Sequence, residues 1–344
     1  MAPNNSVTER VPGFAVFIGN LTRETVINRN GRVYFDYPGG DILYAASAYK
    51  ACGGDAGLLS CTGRNFPQDF LNQIQKKGLD IGGVKKTNFN FEQRSFYFIS
   101  EELEIQTPSP QKVFSEMGIS LPKILLGFDP SRKNSIREDA ASISAKSMVE
   151  TPGHFKKANS VYLGSIECKV LKMATAYFRS SDHTQILVHP GKEMMHSGMF
   201  NETINSLGRA SSVITSLRDL KSLFSDKSKS LDQIVQIIST YCVKYLIILM
   251  DSEKTFLYDF SDGKKYLIPM LPLTAIDPVG AASAFCGGYM AGINMHSDPV
   301  NAAALGNTMR SLKLGGSTPD YLLQTLPEFI RLKAEMIRER IIIC

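Results

Sequence analysis

Ala275-Ile276-Asp277-Pro278-Val279-Gly280-Ala281-Ala282-Ser283-Ala284-Phe285-Cys286-Gly287-Gly288 runs from an apolar strand end, through a tight turn of small residues, into a segment of helical period. Such a turn aims several backbone N–H groups at one point on the positive end of a helix dipole, which suits an anion. The same small residues serve equally well as a close-packed strand-to-helix connection, and taken alone the stretch does not separate the two. In either case it is one strand–turn–helix unit, and the rest of the chain repeats that rhythm.

Working outward, short β-branched or aliphatic runs recur at 14–18, 57–61, 160–163, 185–188, 212–214 and 245–249, with longer segments of helical period between them. This alternation predicts buried strands of a parallel βαβ sheet. Helices are predicted over 41–51, ended by Gly53-Gly54; over 67–77, opened by Pro67 and ended by Gly78; over 231–241; and over 327–343. Residues 20–38 and 88–103 break the pattern. They look like antiparallel strands and predict a small β lid over one end of the sheet. Residues 107–148, rich in Pro, Ser and Lys, predict a surface loop or insertion, and residues 1–12 a flexible N-terminus, so the domain is placed at 13–344.

Composition narrows the function classes. The 344 residues carry 38 Lys+Arg against 33 Asp+Glu, a net charge of +5, with 43% hydrophobic and 21% charged residues. That is a globular composition, and the positive excess is too thin to imply a nucleic-acid or membrane partner. Cys52, Cys61, Cys168, Cys242, Cys286 and Cys344 form no CxxC pair, which argues for reduced thiols and a cytoplasmic setting over a disulfide or zinc framework. The five histidines show no metal spacing, no nucleophile elbow is present, and Lys227-Ser228-Lys229 and Lys264-Lys265 read as solvated loops.

A second motif, Pro38-Gly39-Gly40-Asp41, stands directly before a predicted helix that carries Tyr44 one turn in. Two glycines let a backbone approach a ligand closely, although a plain turn and helix start has the same composition. Together the two motifs, with the lid segments between them, resemble the ribokinase/PfkB family of sugar and nucleoside kinases. Residues 37–83 are similar to the family's N-terminal signature, 276–292 to its C-terminal D-(T/P)-(T/V)-G-A-G-D signature, and 301–314 to the helix and strand that follow. The resemblance implies an α/β fold, ribokinase-like and three-layer α/β/α, with a central mostly parallel sheet and a small β lid.

It also implies roles. Gly280, Ala281 and Ala282 would form the anion hole for the transferring phosphoryl, and Ser283 stands where the family's aspartate takes the proton from the acceptor hydroxyl. Serine cannot act as a base near neutral pH without an activator, and loss of a general base typically costs on the order of 10² to 10⁴ in rate. Glu24, Gly39, Gly40 and Tyr44 fall on the sugar-binding positions, and Asp277 on the residue that helps hold a monovalent cation. The N-x-x-E element for Mg²⁺ and phosphate becomes Ser216-Leu217-Arg218-Asp219. Asp251 replaces a glycine of the nucleotide turn, where its charge would repel ATP, and Asn307 falls on the adenine pocket. The packing residues are kept while the chemical ones have changed.

The leading expectation is therefore a pseudokinase-like PfkB homologue, inactive or strongly impaired in phosphoryl transfer, that acts as a binding or assembly subunit. Two alternatives stand beside it: an active ATP- and Mg²⁺-dependent kinase with another base, and a sensor for a sugar-like small molecule. The expected partners are that small molecule, a partner protein, or a second copy joined through the lid. Only partial recovery is expected from Ser283→Asp, because Ser216, Asp219 and Asp251 would still handicap Mg²⁺ and ATP.

Overall fold

Runs that are apolar on both faces must be covered on both faces, and here they form the centre of a ten-stranded sheet. The computed structural model describes residues 11–130, 150–179, 184–241, 243–250, 254–271, 274–295 and 298–344. Residues 1–10 of the expected N-terminal segment, 131–148 of the expected loop, and Asp251 lie outside the described residues.

The strands are β1 (Phe14–Ile18), β2 (Thr22–Ile27), β3 (Val33–Gly39), β4 (Asp55–Thr62), β5 (Asp80–Lys86), β6 (Arg94–Ile99), β7 (Ile105–Gln106), β8 (Ser160–Leu163), β9 (Gln185–Val188), β10 (Ser212–Ser216), β11 (Tyr245–Leu249), β12 (Lys254–Asp259), β13 (Lys264–Pro269) and β14 (Ile342–Ile343). The helices are α1 (Asp41–Ala51), α2 (Gln68–Lys76), α3 (Pro110–Glu116), α4 (Cys168–Phe178), α5 (Phe200–Leu207), α6 (Leu217–Ser222), α7 (Leu231–Ser239), α8 (Ala281–Asn294), α9 (Pro299–Leu314), α10 (Asp320–Leu323) and α11 (Pro327–Arg338).

The sheet order is β5-β4-β1-β8-β9-β10-β11-β12-β13-β14, parallel from β5 through β11 and antiparallel from there to β14. Strand periodicity divides the core into two layers. Ala15 and Phe17 of β1 join the cluster built on α1, α8, α9 and α11, while Val16 and Ile18 join the cluster under α4, α5, α6 and α7. The result is the three-layer α/β/α architecture. Among the described residues no helix is long and apolar enough to cross a membrane.

A second sheet, β3-β2-β6-β7, forms the lid. Its pairing is mixed, not wholly antiparallel: β2 and β3 run antiparallel, but β6 lies parallel to β2. The reason is topological. The chain passes through α1, β4, α2 and β5 before reaching β6, and a crossover of that length can return a strand in either direction. Alternation then gives the lid two faces. Val26, Tyr37, Tyr97 and Ile99 face the site with Tyr44 and Val279, whereas Ile27, Val33, Phe96 and Phe98 face outward. That outer face is covered by Val113 and Phe114 of α3 and by Leu125 and Phe128, so residues 110–128, expected as loop, are ordered by an apolar surface that needs cover.

Three further expectations are corrected. The C-terminal helix stops at Arg338, and Ile342–Ile343 pairs with β13, because two isoleucines beside an open sheet edge gain ladder hydrogen bonds. Residues 299–314 are one helix, not a helix and strand, opened by Pro299 and by the Asp298 carboxylate that accepts from the Val300 and Asn301 N–H groups. Lys264 and Lys265 lie in β13, where the Lys265 ammonium packs 4.5 Å from the centroid of the Phe256 ring.

Candidate active site

Glu24 comes from β2 on the inner face of the lid and is 2% exposed. An ionised carboxylate in such a place needs donors, and it has three. Oε1 accepts from the Gly40 N–H at 2.9 Å and the Thr22 hydroxyl at 2.8 Å, and Oε2 accepts from the Tyr44 hydroxyl at 2.8 Å. Burial raises its pKa above the usual carboxylate range, with the Thr22, Tyr44 and Gly40 bonds pulling it back. Gly39 has no room for a side chain, since a Cβ there would stand 2.2 Å from the Glu24 carboxyl carbon. Sequence reasoning placed Glu24, Gly39, Gly40 and Tyr44 at one site, and the structure brings all four together around their own hydrogen bonds.

The tyrosine ring does more than bond. It lies flat on Gly280, the left-handed residue (φ 78°) before α8, where a Cβ would fall 2.3 Å from the ring. The Tyr37 hydroxyl stands 3.3 Å from that of Tyr44, and a backbone bond from the Arg29 N–H to the Ile276 carbonyl, 3.0 Å, ties the lid loop to residues 274–278. Those residues were expected as a strand end but belong to no strand, because their backbone bonds go to the lid loop and the end of α9 rather than to a neighbouring strand. The lid is shut on the turn. Of the turn's amides, Ala281 donates to the Pro278 carbonyl and Ala284 to Gly280, so Ala282 and Ser283 supply the helix-start donors.

Ser283 is 5% exposed and hydrogen-bonds the Tyr162 hydroxyl, which in turn lies 3.1 Å from His189 Nδ1. Neither neighbour is a base for it. Burial drives the Tyr162 phenol well above its ordinary range and lowers the His189 imidazole to about 4, a weak proton acceptor. Asp41, the first residue of α1, was missed as a site residue. Its Oδ1 accepts from the Asn20 N–H at 2.8 Å and its Oδ2 from the Ser165 N–H at 2.6 Å, clamping the ends of β1 and β8, while burial pushes its pKa up to about 6. Its signal was present in the sequence, as a carboxylate directly after a double glycine.

The remaining expected residues lie farther along the sheet. Ser216 and Asp219 cap α6: Ser216 Oγ accepts from the Asp219 N–H at 3.0 Å and donates to Asp219 Oδ2 at 2.7 Å. They do not fit a Mg²⁺ site without giving up that cap. Among the described residues no three His, Cys, Asp or Glu side chains gather in a way that could hold a metal ion. Asn307, wholly buried, accepts from the Thr255 hydroxyl and donates to the Ile268 and Pro269 carbonyls, so its amide joins α9 to β12 and β13. Asp277 meets the Lys313 ammonium 3.3 Å away, and neither side chain has any exposed surface. The site does not fit a free monovalent cation, because an ammonium is already there.

The sequence profile of the pfkB family carbohydrate kinases matches residues 131–323, more than half of the chain. The chain belongs to the PfkB family. No curated protein sequence matches it significantly. Among solved structures, the Burkholderia thailandensis nucleoside kinase in complex with inosine superposes with a TM-score of 0.68 at 17% identity, covering 94% of this chain and 98% of that one. Fructokinase from Vibrio cholerae O395, bound to fructose, ADP and calcium, gives 0.70 at 13% identity, covering 94% and 99%. Ribokinase from Arabidopsis thaliana, bound to ribose and ATP, gives 0.65 at 11%, covering 93% and 98%.

This PfkB chain also holds an open space. A cavity of about 350 Å³ lies at the carboxyl ends of β1, β4 and β8, lined among others by Asn20, Gln93, Arg94, Ser165, Glu167 and Lys169. Chain order reverses between β1 and β8, and crevices at such switch points are where α/β sheets take ligands.

Proposed function

We propose that this PfkB-family chain is strongly impaired in, or without, ATP-dependent phosphoryl transfer and works as a binding or assembly subunit. The observation that carries this reading is the Tyr44 ring on Gly280, with the Glu24 carboxylate already bonded to Gly40, Thr22 and Tyr44. An acceptor hydroxyl must approach the anion turn to react, and the Tyr44 ring packed on Gly280, the residue that opens that turn, takes up room there. Ser283 adds to the block, since its hydroxyl faces a phenol and not a proton acceptor.

A second reading, a sensor for a sugar-like small molecule, is favoured by the cavity of about 350 Å³ at the β1/β8 switch, a volume within the range of small-molecule sites. Both readings dispense with catalysis. The test is calorimetry with Mg·ATP, ribose, fructose and inosine, together with a coupled measurement of ADP release. Silence in every titration supports the subunit, and heat from a sugar or nucleoside alone supports the sensor. Turnover of several per second on any acceptor would refute both and return the active-kinase reading.

A further inference from the structure

Lys313 is the penultimate residue of α9 and has no exposed surface, although an ammonium is among the costliest groups to bury. Its surroundings explain why it stays. Nζ donates to the Gly316 carbonyl at 2.8 Å and the Asp277 carbonyl at 3.2 Å, and stands 3.3 Å from Asp277 Oδ2. Its fourth side meets the face of Tyr44, with the ring centroid 5.4 Å away. Two backbone carbonyls, a carboxylate and an aromatic face form a cation's coordination shell.

The backbone makes that shell before any side chain enters. The N–H groups of Ile276 and Asp277 both donate to the Leu314 carbonyl, which brings the segment before the Gly280 turn against the C-terminal end of α9. The negative end of the helix dipole, the Gly316 carbonyl just beyond it and the Asp277 carboxylate then converge on one point. The other Asp277 oxygen, Oδ1, is held by the Val279 N–H at 2.9 Å, so the carboxylate also fixes the turn. Positive charge at this point therefore supports the geometry of residues 277–280.

We propose that Lys313 is the resident cation of this site: its ammonium occupies the position beneath the Gly280 turn that a free monovalent ion would otherwise take, so the fold neither requires nor binds K⁺ or Na⁺ there. Burial lowers the Lys313 pKa while Asp277 raises it, and the geometry stands without that balance. The assignment is independent of whether the chain transfers phosphoryl, since it concerns what holds the turn.

Thermal unfolding at equal ionic strength in KCl, NaCl, NH₄Cl and choline chloride tests it on the full chain. The unmodified protein is expected to melt at the same temperature in all four salts. Lys313→Ala is expected to melt roughly 5 to 15 °C lower in choline chloride and to recover at least half of that loss in KCl or NH₄Cl, because the shell then admits a free cation. Lys313→Met, which fills the space with an apolar chain, is expected to show no such recovery. Selective stabilisation of the unmodified protein by K⁺ or Na⁺ over choline would overturn the assignment. So would an alanine variant equally weak in all four salts. If the alanine variant does not fold, ²⁰⁵Tl⁺ binding to the unmodified protein decides: no bound thallium signal is expected, and one displaced by K⁺ overturns the assignment.

Discussion

Two spaces under the same lid differ sharply although Asn20, which lines one, and Glu24, which anchors the other, are only four residues apart. Around Glu24 the lid is closed on Gly280 by Tyr44, with Tyr37 and the Arg29 backbone bond beside it. Around Asn20 and Ser165 a cavity of about 350 Å³ stays open. Four hydrogen-bond donors and acceptors drawn from β2, β3 and α1 close the first space, whereas the polar clamp beside the second, Asp41 on Asn20 and Ser165, ties strand ends together and leaves the room above them free. Whether room remains beside the Gly280 turn thus depends on one aromatic side chain, independent of the sheet that carries both spaces.

The largest expected effect breaks the closed side. Gly280→Ala puts a Cβ into the Tyr44 ring at a left-handed residue, and a loss of about 4 kcal/mol or more is expected; a loss below about 1 kcal/mol in urea unfolding would show that the ring does not lie there. Tyr44→Ala comes next. It is expected to lose about 3 to 4 kcal/mol and to admit a small polyol next to Glu24, detectable by calorimetry where the unmodified protein gives no heat. The Tyr44→Ala/Gly280→Ala pair should lose less than the sum of the two, because the clash disappears with the ring. Ser283→Asp alone is then expected to restore less transfer than Ser283→Asp with Tyr44→Ala.

The next effect concerns the clamp and the histidine behind Ser283. Asp41 has a folded pKa raised from 3.8 to about 6, so its contribution favours the fold fully below pH 3.8 and is lost as pH rises through 6. His189 is lowered from 6.5 to about 4, so its contribution is present above pH 6.5 and is lost as pH falls through 4. Between pH 4 and 6 the two oppose each other. His189→Gln should therefore leave stability falling as pH rises across that window, and Asp41→Asn should leave it falling as pH drops, each by up to about 3 kcal/mol. Denaturation curves at four pH values measure both slopes, and parallel slopes in the two variants would contradict the assignment.

Smaller effects sharpen the comparison. Glu24→Gln turns an amide N–H toward one of three donors and should cost about 1 to 3 kcal/mol, read by the same unfolding. On the open side, Ser165→Leu should change stability by less than about 1 kcal/mol while removing any small-molecule binding that calorimetry finds in the unmodified protein. Undiminished binding in that variant would place the ligand elsewhere.

The alternation of apolar runs and helical segments carried the central sheet, because a strand buried on both faces writes itself as a continuous apolar run. Strands at the antiparallel edge did not show, since Lys264 and Lys265 of β13 face water or aromatic rings and look like loop residues. Residues 110–128 were hidden for a related reason: their order comes from the lid face they cover, a surface made of strands far away in sequence. The same division holds at the site. The resemblance to the PfkB family put Glu24, Gly39, Gly40, Tyr44, Gly280 and Ser283 on one constellation, and the sequence by itself shows a serine where that resemblance implies the base. Asp41 stood in view without a role until β1 and β8 came together over it. That the Tyr44 ring lies on Gly280 and that Lys313 sits on Asp277 was decided only by tertiary structure, because both depend on where α1 and α9 come to rest against the Gly280 turn, a distance that no local pattern of residues encodes.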